Sequence, residues 1–109
     1  MDRRFKIVQK IVEREFAKRL RAKDVARRVG LSASRFGRLF KQWTGQTFKR
    51  FLLAFRMKRA RNILLLDPRL PIKDVAMSVG YSYWHLCIFT RDFEKYWGCP
   101  PSQCRRSAA

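Results

Sequence analysis

Residues 23–32 read Lys-Asp-Val-Ala-Arg-Arg-Val-Gly-Leu-Ser, and residues 73–82 read Lys-Asp-Val-Ala-Met-Ser-Val-Gly-Tyr-Ser, so seven of ten positions agree at an offset of 50. A match of that quality means that one structural unit occurs twice, and it confines the chain to folds built from two copies of a small motif. Val25 and Val29, like Val75 and Val79, stand four apart and form the apolar stripe of a short helix. Ala26 and Ala76 leave room for a crossing helix. Gly30 and Gly80 suit the left-handed conformation in which a helix ends and turns. Ser32 and Ser82 are predicted N-caps of the next helix. Helix, glycine turn and capped helix is the helix-turn-helix plan.

Helical spacing extends on both sides of the repeat. A second helix of the first unit is predicted over about 33–43, with Phe36, Leu39, Phe40 and Trp43 at i, i+3, i+4 and i+7. Its counterpart is predicted over about 83–97, with Leu86, Phe89, Phe93 and Trp97. Between them about 47–66 reads as a long helix, with Phe48, Phe51, Leu52 and Phe55 on one face and Ile63 and Leu64 further on. Pro68 and Pro71 end it. An amphipathic segment over about 3–20 (Phe5, Val8, Ile11, Val12, Phe16) precedes the first unit, and the tail 107–109 is expected to fray. Strand signals are absent. The fold expected is all-α, about seven helices: a first lobe over 1–45, a connecting helix over 46–66 and a second lobe over 67–109.

Charge narrows the partner. Lys and Arg number 26 against 8 acidic residues, a net charge of +18, which calls for a polyanion. A membrane-surface peptide fits poorly, because the charge is not confined to one face of one helix. No apolar run approaches the ~20 residues of a membrane span, and the start lacks the apolar core of a signal peptide. With Cys87, Cys99 and Cys104 odd in number, reduced thiols and a cytoplasmic location on the nucleoid are expected. Neither metal nor cofactor is expected: Cys99-x4-Cys104 with His85 is not a usual zinc spacing. No pattern of acids, His or glycines supports catalysis.

The runs Gly30-Leu-Ser-Ala-Ser-Arg-Phe-Gly-Arg-Leu-Phe-Lys-Gln-Trp-Thr-Gly45, Phe55-Arg-Met-Lys-Arg-Ala-Arg-Asn-Ile-Leu-Leu65, Phe89-Thr-Arg-Asp-Phe93, Gly98-Cys-Pro-Pro101 and Arg105 resemble the DNA-binding domain of the AraC/XylS family of bacterial transcription regulators. The resemblance spans roughly residues 20–106. It implies two recognition helices in successive major-groove segments of double-stranded DNA, their separation fixed by the connecting helix, and regulation of transcription initiation, more often activation, with RNA polymerase as a further candidate partner. This chain departs from the family pattern in two places. It has two more residues between Gly80 and Phe89, which leaves the register of Tyr83–Ile88 on DNA open, and it has Gly37 where the family carries a longer or polar residue. Only about 20 residues precede the first unit, so the chain reads as a stand-alone regulator or as one domain of a longer protein.

Opposite the core stripe of helix 33–43 lie Ser34, Arg35, Arg38 and Gln42, the base-reading candidates of the first unit. Arg bonds bidentately to guanine and Gln to adenine, although either Arg could instead hold a phosphate. Arg38 and Arg91 match the family's groove-facing arginines. In the second unit Trp84, His85, Ile88 and Arg91 are the base-reading candidates. Trp84 and His85 could meet thymine methyls or phosphates, or serve only as packing at a helix start. Phosphate candidates are Lys23, Arg27, Arg28, Thr44, Gln46, Thr47, Lys73 and Lys95, with Gln46 and Thr47 at the start of the connecting helix, where free backbone N–H groups can hold an anion. The function expected is a sequence-specific regulator, monomeric on an asymmetric site with half-site centres ~34 Å apart and some DNA bending. The alternative is a non-specific packaging protein driven by charge.

Overall fold

A computed structural model describes residues 2–108 (for Ala108, the backbone). The helices are α1 (Arg3–Glu15), α2 (Ala22–Arg28), α3 (Ala33–Thr44), α4 (Phe48–Leu66), α5 (Ile72–Ser78), α6 (Leu86–Trp97) and α7 (Pro101–Ala108), with a 3-10 turn over Tyr83–His85. No strand occurs among the described residues, as the sequence predicts. The chain divides into two compact units, one ending at Leu53 and the other starting at Ala54, so that the division falls inside α4.

In the first unit Asp2 caps α1, its carboxylate accepting the Arg4 N–H at 2.9 Å. Phe5, Val8, Ile11 and Val12 are buried as their spacing predicts, but α1 stops at Glu15, short of the expected 20. Residues 17–19 are Ala-Lys-Arg and stay exposed, and the Lys18 N–H closes a tight turn on Glu15 O. At the end of α2 the Leu31 N–H reaches back to Ala26 O at 2.9 Å over Gly30, whose φ is +73°. That is the glycine-terminated turn read from the sequence. Ser32 Oγ then accepts the Arg35 N–H at 3.2 Å and starts α3. Phe36 and Phe40 on α3 are fully buried. Phe40 meets Phe48 and Phe51 edge-on, with ring centroids 5.5 and 5.2 Å apart. Each such phenylalanine contributes about 1.5–3 kcal/mol through burial, and the edge-to-face geometry adds to it.

The second unit repeats this with differences. Tyr81 N–H closes on Ala76 O at 3.0 Å, and Phe89 and Phe93 are fully buried. The 50-residue offset holds from α2 to α5 but becomes 53 from α3 to α6. The three extra residues are Tyr83–His85, coiled as one 3-10 turn with the His85 N–H on Ser82 O. A 3-10 helix closes a turn in three residues, so the extra length is taken up before α6 and not within it. Two expectations are corrected. The second helix of this unit begins at Leu86, not 83, and Ser82 does not cap it: its Oγ lies 2.6 Å from His85 Nδ1. At the end of the chain α7 continues to Ala108 where fraying was expected, and Ala109 lies outside the described residues.

Within α4, Phe48 and Leu52 are buried and Phe51 and Phe55 half-buried, while Met57, Ala60 and Leu64 are buried further on. Trp97 Nε1 donates to Met57 O at 3.0 Å, and the Arg61 guanidinium lies 5.0 Å from the Trp97 ring centroid. The end of α4 is held by Arg105 on α7. Its Nε donates to Leu64 O (3.2 Å), one guanidinium nitrogen to Leu70 O (2.8 Å) and the other to Asp67 O (3.2 Å). Terminal carbonyls of a helix have no intrahelical partner, and the planar fork satisfies them together with those of the proline-bounded turn. Tyr81 donates to Asp92 Oδ2 at 2.7 Å. Burial, and then the bond to Asp92, pushes the Tyr81 hydroxyl well above its ordinary range, while burial lowers the Arg56 guanidinium.

Two stability predictions follow from these contacts. Arg105→Ala should cost about 2–4 kcal/mol, since three carbonyls lose a charged donor, and Arg105→Lys should recover less than half of it; urea unfolding of the three proteins measures both. Because the folded state holds the Tyr81 proton more tightly than the unfolded one, this hydroxyl's contribution is complete below the unfolded pKa of about 10 and declines as pH rises above it. The urea midpoint of the parent should therefore fall more steeply above pH ~10 than that of Tyr81→Phe. Parallel curves would show that the hydroxyl plays no such part.

Candidate nucleic-acid interface

Burying Phe36 and Phe40 fixes how α3 rolls, and the residues on its far side are thereby turned outward. Ser34, Arg35, Arg38 and Gln42 are all exposed. Arg35, Arg38 and Gln42, with Leu39 at the base, line one shallow surface groove of about 160 Å³. The predicted residues of the first unit are thus brought together on one helix face, three and four positions apart as helical neighbours must be. Lys41 is exposed seven positions after Ser34 and joins this face. It is not among the residues predicted from the sequence, although the same helical spacing would have selected it.

In the second unit Phe89 and Phe93 play the part of Phe36 and Phe40, and the 53-residue offset pairs Arg91 with Arg38, Lys95 with Gln42, Ile88 with Arg35 and Cys87 with Ser34. Ile88, Arg91 and Lys95 are all exposed. Arg91 has the Asp92 carboxylate 3.9 Å away; the residue corresponding to Asp92 in the first unit is Leu39. Trp84 and His85 do not lie on the helix. They stand on the 3-10 turn before it, Trp84 86% exposed, its ring meeting that of Tyr83 edge-on at 5.7 Å. The repeat taken at 50 residues aligns Trp84 with Ser34; the observed helices align it with nothing in the first unit.

The phosphate candidates divide into unengaged and engaged groups. Lys23 and Lys73 are exposed at the second position of α2 and α5, and Arg27 and Lys95 are exposed as well. Arg28 makes a two-pronged ion pair with Glu15, at 2.9 and 2.7 Å, which holds the Glu15 carboxyl below its usual range. The Thr44 hydroxyl lies 2.9 Å from Phe40 O and accepts the Gln46 N–H at 3.2 Å, sealing the end of α3. Thr47 Oγ1 accepts the Arg50 N–H at 3.2 Å at the start of α4, and Gln46 beside it is half-buried. Cys87, Cys99 and Cys104 are free thiols; burial, and then the neighbouring Cys104, raises the Cys99 thiol. No group of three or more His, Cys, Asp or Glu able to hold a metal occurs among the described residues, and no helix there is long and apolar enough to cross a membrane.

Comparison with known proteins matches this geometry to a family. A family model described as a helix-turn-helix domain matches residues 25–107. The Msm operon regulatory protein of Streptococcus mutans is 34% identical over 99 residues, which are 91% of this chain and 34% of that protein. The chain spans about a third of the length of the curated relatives it matches. Among solved structures, the C-terminal domain of AraT, a response regulator from Geobacillus stearothermophilus, is 30% identical with a TM-score of 0.90, covering 97% of this chain and 86% of that one. The DNA-binding domain of AdpA, solved in complex with a target DNA, shares the fold at 22% identity and a TM-score of 0.84, covering 98% of this chain and 93% of that one. With two glycine-turned helix pairs, paired outward arginines and a family match running through both units, the chain belongs to the helix-turn-helix domain family, as a DNA-binding domain of the AraC type.

Proposed function

We propose that this chain is a sequence-specific reader of double-stranded DNA that regulates transcription, in the sense of activation, by inserting α3 and α6 into successive major-groove segments. The observation that carries this reading is the recurrence of an outward arginine, Arg38 and Arg91, at the same position of two recognition helices whose opposite faces are locked into a core. Arginine there can bond guanine O6 and N7 together. Ser34, Arg35, Gln42, Trp84, His85 and Ile88 complete the base-reading set. Lys23, Arg27, Lys73 and Lys95, with the start of α4 at Gln46 and Thr47, grip phosphates, while Arg28 and Thr44 have partners of their own within the fold. Since one chain holds two different readers, it binds as a monomer to an asymmetric site on the cytoplasmic chromosome, and RNA polymerase is the partner that activation would require.

The net charge of +18 also suits a charge-driven packaging protein, and one titration series separates the two. Both readings expect affinity to fall by about three or more orders of magnitude between roughly 50 and 200 mM salt. Only a sequence-specific reader loses affinity when its selected site is scrambled at constant salt. Arg38→Ala and Arg91→Ala should each cost about 1–3 kcal/mol and relax preference at one or two base pairs, whereas Lys23→Ala should weaken all sequences alike. Arginine variants that lose affinity but keep every base preference would make these residues phosphate clamps. Footprinting with a mass measurement of the complex tests the monomer, since a palindromic footprint carrying two chains would refute it.

A further inference from the structure

The exposed faces of α3 and α6 differ in chemistry at the end that meets DNA. Recognition helices contact base edges with their N-terminal residues. At that end α3 presents Ser34 and Arg35, both able to hydrogen-bond. The corresponding residues of α6 are Cys87 and Ile88, and the turn before them adds Trp84. Ile88 is 39% exposed and Trp84 86%, on a chain whose net charge is +18. The second unit thus offers exposed apolar side chains where the first offers hydrogen-bonding ones. Arg91 and Lys95, three and seven positions after Ile88, put cationic charge on the same face, so a partner seated there is a polyanion with an apolar feature. In the major groove one feature meets that description, the 5-methyl group of thymine.

Resting on the reading of α6 as a base-contacting helix, we infer that the second unit reads its half-site through thymine 5-methyl groups, with Ile88 and Trp84 as the methyl-contacting residues. Ile88 has no hydrogen-bonding atom in its side chain, so it distinguishes thymine from cytosine only by the methyl. Trp84, its ring set edge-on to Tyr83 at 5.7 Å, adds a broad apolar surface. A cytosine methylated at the same carbon presents the same group, so 5-methylcytosine substitutes for thymine at the position that Ile88 meets.

The test uses a duplex selected from random-sequence DNA by the intact chain, with the α6 half-site identified as the one whose base preference Arg91→Ala relaxes. Each thymine is then replaced singly by deoxyuridine, which removes only the methyl. One or two positions in the α6 half-site should each lose about three- to tenfold in affinity. Replacement of that thymine by 5-methylcytosine, paired with guanine, should bind more tightly than plain cytosine does. Ile88→Ala and Trp84→Ala, both at exposed positions, should bind more weakly and lose the sensitivity to deoxyuridine. Two results overturn the inference while leaving the DNA-reading function standing: a protected α6 half-site in which no methyl matters, or a sensitivity that both variants retain. If instead Arg91→Ala relaxes no preference and only one half-site is protected, α6 is not a reader, and the inference falls with that assignment.

Discussion

The outward faces of α3 and α6 are set by two pairs of phenylalanines. Phe36 and Phe40 on α3, and Phe89 and Phe93 on α6, stand four apart and have no exposed surface. A helix anchored by two large aromatic side chains on one stripe cannot roll without opening a cavity, at a cost of about 3–5 kcal/mol for each phenylalanine lost. The direction of Arg38 and Arg91 follows from this packing and not from any hydrogen bond that holds them. The interface is in this sense a by-product of the core.

Polar bonds in the second unit tie together segments far apart in sequence. Tyr81 and Asp92 form a hydrogen bond at 2.7 Å, where the first unit has Leu31 and Leu39 at the matching positions. Arg105 gathers three carbonyls from the end of α4 and the turn that follows. Bonds of this kind are directional and define a single arrangement more sharply than apolar contact does. The Tyr81–Asp92 bond ties α6 to the segment just before the three extra residues.

Much of this was legible in the sequence because it is encoded by short-range pattern. The repeated decapeptide, the glycines and the four-residue aromatic spacings give α2, α3, α5 and the core of α6 directly, and the outward residues of α3 follow by elimination. The 3-10 turn was hidden because Tyr83-Trp84-His85-Leu86 contains no glycine or proline to break the pattern, and an i, i+3 spacing suits either helix type. That concealment propagated to the site: alignment at a constant offset of 50 cannot reveal that Ile88 occupies the place of Arg35. Met57 and Ala60 are fully buried but escape the pattern of phenylalanines on α4. The pairing of Arg28 with Glu15 joins residues 13 apart on different helices, and no local rule predicts it.

The placement of the extra residues has one more consequence. Three residues inserted inside α6 would have turned every later side chain about 60° out of phase with the earlier ones and moved it about 4.5 Å along the axis, shifting one part of the core stripe against the other. Coiled as a separate turn, they leave α6 with the same twelve-residue length as α3 and with a glycine just past its end, as in α3. Segment length and helix phase are thereby uncoupled at this position. The entrance to the second helix is a place where sequence can be gained, lost or exchanged in whole turns while the fold stays in register, so the two halves of a duplicated module are free to diverge in what they recognise without renegotiating how they fold.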